Sequence, residues 1–218
     1  MKLLTKIICG LYSAYCNFRF FPCRVAIKLP LQVHYKTRIS ACKNSIIIDG
    51  EVQRFMLKLG FGGSEGIMGK SGSYLLIKQG GMLTIKGRIV IAQGCSIRIE
   101  KNASLSLGKN LYMNKNGLIY CADSINIGDG VLIGWNVNIR DNDGHTIYYD
   151  DGHRNTMRAV SIGKHVWIAA VSSILKSSLG DDIVVASNTV VYKSFLDSNI
   201  LIGGQPVKVL KENIQWRI

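Results

Sequence analysis

Aliphatic residues recur at every sixth position over much of this 218-residue chain. The clearest stretch runs from Ile127 through Ile133 to Ile139, and a glycine follows the aliphatic residue at Gly128 and Gly134. A helix repeats a face about every 3.6 residues and a strand every two, so a period of six requires short strands that turn corners at fixed intervals. Three such units close one triangular coil of about 18 residues, and stacked coils form a parallel β-solenoid.

The same spacing extends in both directions along the chain. It includes Leu107, Met113 and Ile119 before this stretch, and Ile162, Ile168, Ile174, Leu179, Val185 and Val191 after it. We therefore predict an all-β solenoid over residues 44–205, between a basic N-terminal segment, residues 1–43, and a C-terminal tail, residues 206–218. A β-sandwich would need hairpin turns at regular spacing, and Asn116-Gly117 is the single Asn-Gly pair of the sequence.

The net charge of +13 is unevenly distributed, because eight of the 27 Lys and Arg residues precede Asp49, the first acidic residue. Basic proteins often bind nucleic acid, but here the aromatic residues are not interleaved with Lys and Arg as a stacking surface requires. We therefore predict no nucleic-acid partner. The six cysteines include no Cys-x-x-Cys pair, so a reducing, cytoplasmic compartment is expected.

The first twenty residues have the spacing of an amphipathic helix. Apolar residues recur from Leu4 to Phe18 until Pro22 ends the pattern, and Ser13 and Asn17 interrupt it. The apolar run is too short to span a bilayer. Two interpretations stay open: residues 1–22 lie on an anionic membrane surface, or the apolar side of the helix caps the first coil of the solenoid.

The six-residue period fails over residues 140–160, which we predict to leave the coil as an extruded loop. Long loops on rigid scaffolds often carry function. His145 lies near the start of this loop, and imidazole is well suited to remove a proton near neutral pH. His145 is therefore a candidate general base, with Asp141 or Asp143 available to fix its tautomer; a solvated loop histidine is the alternative.

The same loop raises the question of a metal site. Its start at Asp141 resembles a calcium-binding loop, but the twelfth position is Gly152 where a bidentate Glu is required. Zinc needs at least three converging ligands, and His145, His153 and His165 lack any ligand spacing. We therefore predict no metal.

Three segments around this loop are similar to the hexapeptide-repeat O-acetyltransferases of the galactoside, maltose and polysaccharide type. They are Ile-Gly-Lys-His-Val-Trp-Ile-Ala-Ala at 162–170, Leu-Gly-Asp-Asp-Ile at 179–183 and Gly-Gly-Gln-Pro-Val-Lys-Val at 203–209. The resemblance covers residues 105–212. It implies a left-handed parallel β-helix, usually a homotrimer, with acetyl-CoA in the groove between subunits.

The resemblance also implies roles for individual residues. His145 would take the proton of the acceptor hydroxyl, with Asp143 beside it, and no acyl-enzyme would form. Asn114 would contact the acceptor, and the backbone N–H of Ala170 would serve as an oxyanion donor. The implied contacts to coenzyme A are Trp167, Ala170, Ser187, Tyr192, Lys193, Lys208 and Lys211, the last two near the nucleotide phosphates.

These observations predict an acetyl-CoA-dependent O-acetyltransferase acting on a sugar hydroxyl of a cell-surface polysaccharide or its lipid-linked precursor. The expected location is cytoplasmic, with peripheral attachment to the inner face of the cell membrane as an option. Three alternatives remain: an N-acetyltransferase for an amino-sugar nucleotide, a zinc carbonic-anhydrase-like solenoid, and a non-catalytic solenoid. The sequence departs from the family at two places. Ala122, just before Asp123, stands where the sugar acetyltransferases commonly carry an acidic residue. The loop after His145 is long and Tyr-rich.

Overall fold

A computed structural model describes residues 3–69 and 72–217 of the chain. Two helices come first, α1 (Leu3–Phe20) and α2 (Cys23–Ala26). The strands that follow are two to four residues long: β1 (Leu31–Val33), β2 (Arg38–Ser40), β3 (Ile46–Ile48), β4 (Leu57–Leu59), β5 (Tyr74–Ile77), β6 (Met82–Ile85), β7 (Ile89–Ile91), β8 (Ser96–Ile99), β9 (Ser104–Leu107), β10 (Leu111–Met113), β11 (Leu118–Cys121), β12 (Ser124–Ile127), β13 (Leu132–Ile133), β14 (Asn138–Arg140), β15 (Val160–Ile162), β16 (Trp167–Ile168), β17 (Ser173–Leu175), β18 (Ser178–Leu179), β19 (Val184–Val185), β20 (Val190–Val191), β21 (Leu201–Gly203) and β22 (Lys208–Lys211).

The strands wind into three sheets, because each strand from β1 to β17 pairs in parallel with the strand three positions later. Sheet A contains β1, β4, β7, β10, β13, β16, β19 and β21, and β22 folds back onto β21 as an antiparallel edge. Sheet B contains β2, β5, β8, β11, β14, β17 and β20, and sheet C contains β3, β6, β9, β12, β15 and β18. Each full coil thus contributes one strand to each sheet. The predicted β-solenoid is confirmed.

The aliphatic residues of the six-residue period form the core. In sheet A, Ile133 pairs in register with Met113 on one side and Ile168 on the other, and all three side chains are fully buried. The same stacking joins Ile119, Ile139, Ile174 and Val191 in sheet B, and Leu107, Ile127, Ile162 and Leu179 in sheet C. Burying one such side chain contributes about 1.5–3 kcal/mol, so the repeated position holds the coils together.

Four glycines form a column where the chain passes from sheet C to sheet A: Gly108, Gly128, Gly163 and Gly180. A Cβ atom on Gly108 would lie 2.4 Å from the carbonyl oxygen of Gly128, and one on Gly128 would lie 2.5 Å from that of Gly163. From Gly108 to Gly180, successive coils therefore approach at this corner too closely for a side chain. This close approach is the physical reason for the glycine that follows the aliphatic position in the repeat.

The column predicts the effect of adding one methyl group. We expect Gly128→Ala to lower the free energy of unfolding by about 1–3 kcal/mol, because the new Cβ meets backbone that cannot yield without separating two coils. Gly10→Ala is the matched control, since Gly10 lies in α1 with nothing within 4 Å of its Cβ position. Helix propensity favours that change by up to about 1 kcal/mol. Urea denaturation of both variants measures the difference, and equal effects would contradict the account.

Helix α1 covers the open end of the solenoid with polar side chains. The Asn17 side chain accepts a hydrogen bond from the Leu31 N–H at 3.0 Å and donates to the Leu31 carbonyl at 2.9 Å. The Ser13 hydroxyl accepts from the Val33 N–H at 2.8 Å. These are the edge groups of β1 that have no strand partner, and unpaired strand edges are a liability. Ser13 and Asn17, which interrupt the apolar pattern, are thus the residues that dock the helix.

The predicted helix is confirmed, but its apolar side does not pack on the solenoid. Leu4, Leu11, Tyr15 and Phe18 are 52–70% exposed, whereas Asn17 is fully buried. The capping interpretation was therefore correct about the location of the helix and wrong about the face it uses. Within residues 3–69 and 72–217, no helix has the length and apolar character needed to cross a bilayer.

The coil stack begins earlier and ends later than the predicted domain limits. Strands β1 and β2 lie within residues 1–43, where only a basic segment was predicted. Strand β22 lies within the predicted tail, residues 206–218, and extends sheet A. Strands β1 and β2 were missed because Lys36, Arg38 and Lys43 made this stretch resemble part of the basic segment.

Candidate functional site

The chain leaves the coil between β14 and β15, at the corner between sheets B and C, which we call the B–C corner. Asp141 anchors the departure: it is fully buried, and its two carboxylate oxygens accept the N–H groups of Ala122 and Asp123 of the preceding coil, both at 2.8 Å. His145 follows on the wall of a cleft of about 580 Å³, with its side chain exposed. The candidate base is therefore only four residues from a fixed point of the scaffold.

Asn155 holds the rest of this loop in place. Its side-chain oxygen accepts the Ile147 N–H at 2.7 Å, and its side-chain nitrogen donates to the His145 carbonyl at 3.0 Å and to Asp143 Oδ2 at 2.7 Å. Beyond these bonds, Tyr148 and Arg154 form an antiparallel bridge, so the extruded segment doubles back as a small hairpin. The backbone at His145 is thus pinned from across the loop. Sequence reasoning missed Asn155.

Asp143 does not contact the His145 ring. Its partner is Lys176, which follows β17 in the next coil, with 2.5 Å between Lys176 Nζ and Asp143 Oδ2. This hydrogen bond, with a smaller contribution from Asn155, holds the pKa of Asp143 below its ordinary value. Among the described residues, no carboxylate hydrogen-bonds the imidazole of His145. The predicted His145–Asp143 pairing is therefore wrong in this structure, and Asp143 positions the loop through Asn155 instead.

The Lys176–Asp143 ion pair gives a test of whether the position of the loop matters for His145. We expect Lys176→Met to raise the pKa of Asp143 and to reduce turnover about tenfold, because a small displacement of the base is costly. A carboxyl with a lowered pKa stabilises the loop above its ordinary pKa and loses that effect as the pH falls through the lowered value. The variant should therefore lose loop order at a higher pH than the wild type.

The Asp143 carboxyl titration, followed by carbon NMR, and steady-state turnover check this prediction together. Lys101→Met is the control, because Lys101 is an exposed lysine at the same corner in a lower coil. An unchanged Asp143 titration in Lys176→Met, or an equal loss of turnover in Lys101→Met, would rule out the positioning role.

A second group of predicted residues lies at the corner between sheets A and B, which we call the A–B corner. The N–H groups of Ala169 and Val171 donate to the carbonyls of Val185 and Trp135, both at 2.9 Å. The N–H of Ala170 between them has no acceptor among the described residues. A fixed, unpaired amide is the kind of donor that an oxyanion requires. Ser187 occupies the equivalent position in the next coil and is exposed.

The backbone next to Ala170 is strained. Val171 has φ of 62°, in the left-handed region that β-branched residues rarely adopt. The equivalent turn positions of neighbouring coils hold Asn136 and Asn188, with φ of 55° and 57°, and asparagine tolerates this conformation better. Strain of this kind costs on the order of 1–3 kcal/mol and concentrates at functional sites. The departure from asparagine therefore singles out this coil.

Asn114 also lies at the A–B corner, but its amide is already engaged. It is 7% exposed, accepts the Ser64 N–H at 3.0 Å and donates to the Ser64 hydroxyl at 2.7 Å. Ser64 belongs to the Gly-rich stretch between β4 and β5, which Lys115 also holds through the carbonyls of Ser64 and Ile67. The predicted contact of Asn114 with an acceptor would require Ser64 to withdraw.

The remaining predicted residues are all at the surface. Trp167 is 37% exposed on sheet A. Tyr192 and Lys193 follow β20 at the B–C corner, so they lie in the coil above Lys176. Lys208 and Lys211 are exposed on β22, at the end of sheet A. Lys193, Lys208 and Lys211 therefore all lie at the C-terminal end of the solenoid.

One residue near Trp167 was not anticipated. Trp216 of the C-terminal segment stacks on His165 with ring centroids 4.1 Å apart, and its Nε1 donates to the His165 carbonyl at 3.0 Å. Its ring centroid lies 6.0 Å from that of Trp167. The His165 Nδ1 is 2.7 Å from Asp182 Oδ1, so this histidine is already partnered and half exposed. The sequence alone offers no signal for a contact across 51 residues.

The two corners are separate within one chain. His145, Lys176, Tyr192 and Lys193 lie at the B–C corner, and Asn114, Ala170 and Ser187 lie at the A–B corner. One strand of sheet B and its turns separate the corners, about 15–20 Å for five or six extended residues. The structure therefore divides the predicted residues between two half-sites on different corners. Ala170 and Lys176 share one coil, and Ser187 and Tyr192 share the next.

The chemistry of the described residues also bears on covalent catalysis. Cys121 lies next to the cleft, but it is fully buried, and burial raises the pKa of its thiol to about 12. A thiol with that pKa is protonated near neutral pH and is a poor nucleophile. In residues 3–69 and 72–217, no three His, Cys, Asp or Glu side chains converge as a metal site would require.

The chain is thus a parallel β-helix built from hexapeptide repeats. It carries a loop histidine at one corner and an unpaired backbone amide at the next. No protein-family model matches the chain. Among curated proteins it is 30% identical over 146 residues to an uncharacterized 24.8 kDa protein in the cps region of Klebsiella pneumoniae, covering 66% of this chain and 65% of that protein. It is 29% identical over 113 residues to the galactoside O-acetyltransferase of Escherichia coli K12, covering 50% and 55%.

Two solved structures are similar over most of their length. The polysialic acid O-acetyltransferase OatWY has a TM-score of 0.58 at 27% identity, covering 84% of this chain and 88% of that chain. The polySia-specific acetyltransferase NeuO has a TM-score of 0.63 at 22% identity, covering 85% and 74%. The resemblance to the hexapeptide-repeat O-acetyltransferases and the left-handed β-helix are therefore confirmed. The chain spans between about half and two thirds of the length of the two curated relatives described here.

Proposed function

We propose that this protein is an acetyl-CoA-dependent O-acetyltransferase that modifies a hydroxyl of a cell-surface polysaccharide or its lipid-linked precursor. The observation that carries the proposal is the placement of His145 on the wall of a cleft, by a loop that Asp141 anchors and Asn155 pins. The named relatives, which are O-acetyltransferases of galactosides and of polysialic acid, support this activity class. The cleft is open and lined by polar side chains, as a glycan chain requires.

Each half-site has a defined task in this reaction. Acetyl-CoA, the co-substrate, supplies the acetyl group as a thioester. The His145 imidazole takes the proton of the acceptor hydroxyl as its oxygen bonds to the acetyl carbonyl carbon, and returns that proton to the departing sulfur. The Ala170 N–H donates a hydrogen bond to the carbonyl oxygen as negative charge develops there. The protonated Cys121 thiol favours direct transfer over an acyl-enzyme.

The residues of both corners suit this co-substrate. An acetyl group near Ala170 would place the pantetheine arm along Ser187, and exposed Lys208 and Lys211 offer charge for the nucleotide phosphates. Because His145 and Ala170 lie on different corners of one chain, we propose a homotrimer in which the B–C corner of one subunit faces the A–B corner of the next. The groove between subunits would then hold the thioester.

An assay with purified protein tests the activity. The protein is incubated with acetyl-CoA and a panel of glycans and amino-sugar nucleotides, and release of the coenzyme A thiol is followed. O-acetylation gives an ester that alkali removes, whereas N-acetylation gives an amide that alkali leaves intact. Alkali-labile acetyl groups on a glycan support the proposal, alkali-stable groups on an amino sugar overturn it, and no thermal shift with coenzyme A indicates a non-catalytic solenoid.

Mixing two inactive variants tests the shared site. If each site takes His145 from one subunit and Ala170 with Trp167 from its neighbour, co-expressed His145→Ala and Trp167→Ala chains form some complete sites. Mixed trimers should then regain a measurable part of the wild-type turnover. Activity no greater than that of the separate variants would place the whole site within one chain.

A further inference from the structure

Helix α1 has two faces with opposite roles. One face, which includes Cys9, Ser13, Asn17 and Phe20, is buried against β1 at the open end of the solenoid. Side chains of an α-helix repeat at three and four residues, so the residues between these positions take the opposite side. That side is formed by Leu4, Ile7, Ile8, Leu11, Tyr15 and Phe18, which we call the apolar face.

The apolar face has no partner within residues 3–69 and 72–217. Its six residues are between 39% and 70% exposed, and none is part of the hydrophobic core. Because the opposite side rests on the terminal edge of sheet A, the apolar face points along the axis of the coils, away from the solenoid. Contiguous apolar surface of this kind marks an interaction site. It cannot be covered by a neighbour packed against the side of the solenoid.

The charges around this face favour an anionic partner. All the acidic residues of the chain follow position 48, and Lys6, Arg19, Arg24, Lys28 and Lys43 are exposed near the same end. None of these five forms a salt bridge among the described residues. A helix with an apolar face, basic neighbours and no acidic residue is typical of helices that lie in the interface of an anionic bilayer. Each Lys or Arg held near such a surface raises affinity about fivefold.

We propose that the apolar face of α1 docks this protein on an anionic phospholipid surface, with the solenoid axis perpendicular to the bilayer. The helix thus caps the solenoid with the side that carries Ser13 and Asn17, and its apolar face enters the headgroup region. In the proposed homotrimer, the three apolar faces would point the same way and contact one membrane together, which multiplies the affinity of a single helix. Such docking would hold the catalytic corners close to a lipid-linked acceptor, but it does not depend on acetyl transfer.

Vesicle co-sedimentation of the full-length protein tests this inference. We expect wild-type protein to sediment with vesicles of phosphatidylcholine and phosphatidylglycerol, to bind vesicles of phosphatidylcholine alone less, and to lose affinity at high salt. Leu11→Glu should reduce binding at least about tenfold, because a charge replaces a side chain that enters the apolar region. Leu196→Glu is the matched control: Leu196 is 71% exposed and Leu11 is 70% exposed, but Leu196 lies at the opposite end of the solenoid.

The outcomes separate lipid from other partners. Wild-type protein that stays in the supernatant, or Leu11→Glu that sediments like wild type, overturns the proposal. If wild-type protein without lipid has twice the mass of Leu11→Glu, the apolar face pairs two assemblies end to end, which also overturns it. Acetyl transfer to a water-soluble acceptor should be the same in wild type and Leu11→Glu, so failure of the docking and failure of the proposed activity are distinguishable.

Discussion

Replacing His145 with Ala is expected to lower the turnover number for acetyl transfer by about 10² to 10⁴ while the dissociation constant of acetyl-CoA stays unchanged. The loss is large because His145 is the only imidazole among the residues that line the cleft. Without it, the attacking hydroxyl must lose its proton to water. We expect binding to be spared because most of the proposed coenzyme A contacts, including Trp167, Ala170 and Ser187, lie at the A–B corner or on sheet A.

His153→Ala is the control for this experiment. His153 lies in the same loop, but its side chain is 81% exposed and its Nδ1 is paired with Asp151 at 3.1 Å, away from the cleft. We expect it to retain nearly the wild-type turnover. Steady-state kinetics and calorimetric titration with coenzyme A, run on both variants, give turnover and affinity separately. A His145→Ala enzyme within about threefold of wild type, or an equal loss in His153→Ala, would falsify the role of His145 as base.

The core of the fold could be predicted because its rule is local. Each coil repeats the same three short strands, so the inward residue of one strand fixes the position of the next, and Ile127, Ile133 and Ile139 were predicted and are buried. The first coils follow the rule less closely. The Gly-rich stretch between β4 and β5 lengthens the second coil, and Lys36 and Arg38 make the first coil resemble a basic segment.

The partners within the candidate site could not be predicted, because coil stacking decides them. Asp143 lies two residues from His145 in sequence, which favoured a direct pairing. Lys176 is 33 residues further along the chain, but it follows the strand that stacks above β14, so its ammonium group lies next to the Asp143 carboxylate. Asn114 likewise hydrogen-bonds Ser64, 50 residues away in sequence, because the folded coils bring the two residues together. Such contacts require the register of the coils, which composition and spacing do not define.

The N-terminal helix shows how a pattern can be identified correctly and oriented wrongly. Amphipathicity alone directs the apolar side inward, because burial of apolar surface usually dominates packing. Here the surface to be covered is a strand edge with unpaired N–H and carbonyl groups, and only hydrogen-bonding side chains can satisfy it. Ser13 and Asn17 are therefore required on the inner side, and the apolar side is left for another surface.

Because of this orientation, we expect the second large effect, a loss of folding stability, to come from replacing a polar residue. Asn17→Ala should lower the free energy of unfolding by about 3 kcal/mol, since the N–H and carbonyl of Leu31 would both lose their partners in a buried position, at about 1–3 kcal/mol each. Leu11→Ala in the same helix should change it by no more than about 0.5 kcal/mol, because Leu11 is 70% exposed and is not part of the hydrophobic core.

Urea denaturation followed by far-ultraviolet circular dichroism, without lipid or detergent, compares the two variants. Ser13→Ala gives an intermediate case, because the single hydroxyl hydrogen of Ser13 is shared between the carbonyls of Cys9 at 2.6 Å and Val33 at 3.2 Å, so mainly the Val33 N–H loses a partner. The order of destabilisation we expect is Asn17, then Ser13, then Leu11. A larger loss for Leu11→Ala than for Asn17→Ala would mean that the apolar face is the one packed on the solenoid. This order is the reverse of that expected for an ordinary amphipathic helix because α1 caps a strand edge, and it leaves Leu11 exposed for the proposed membrane contact.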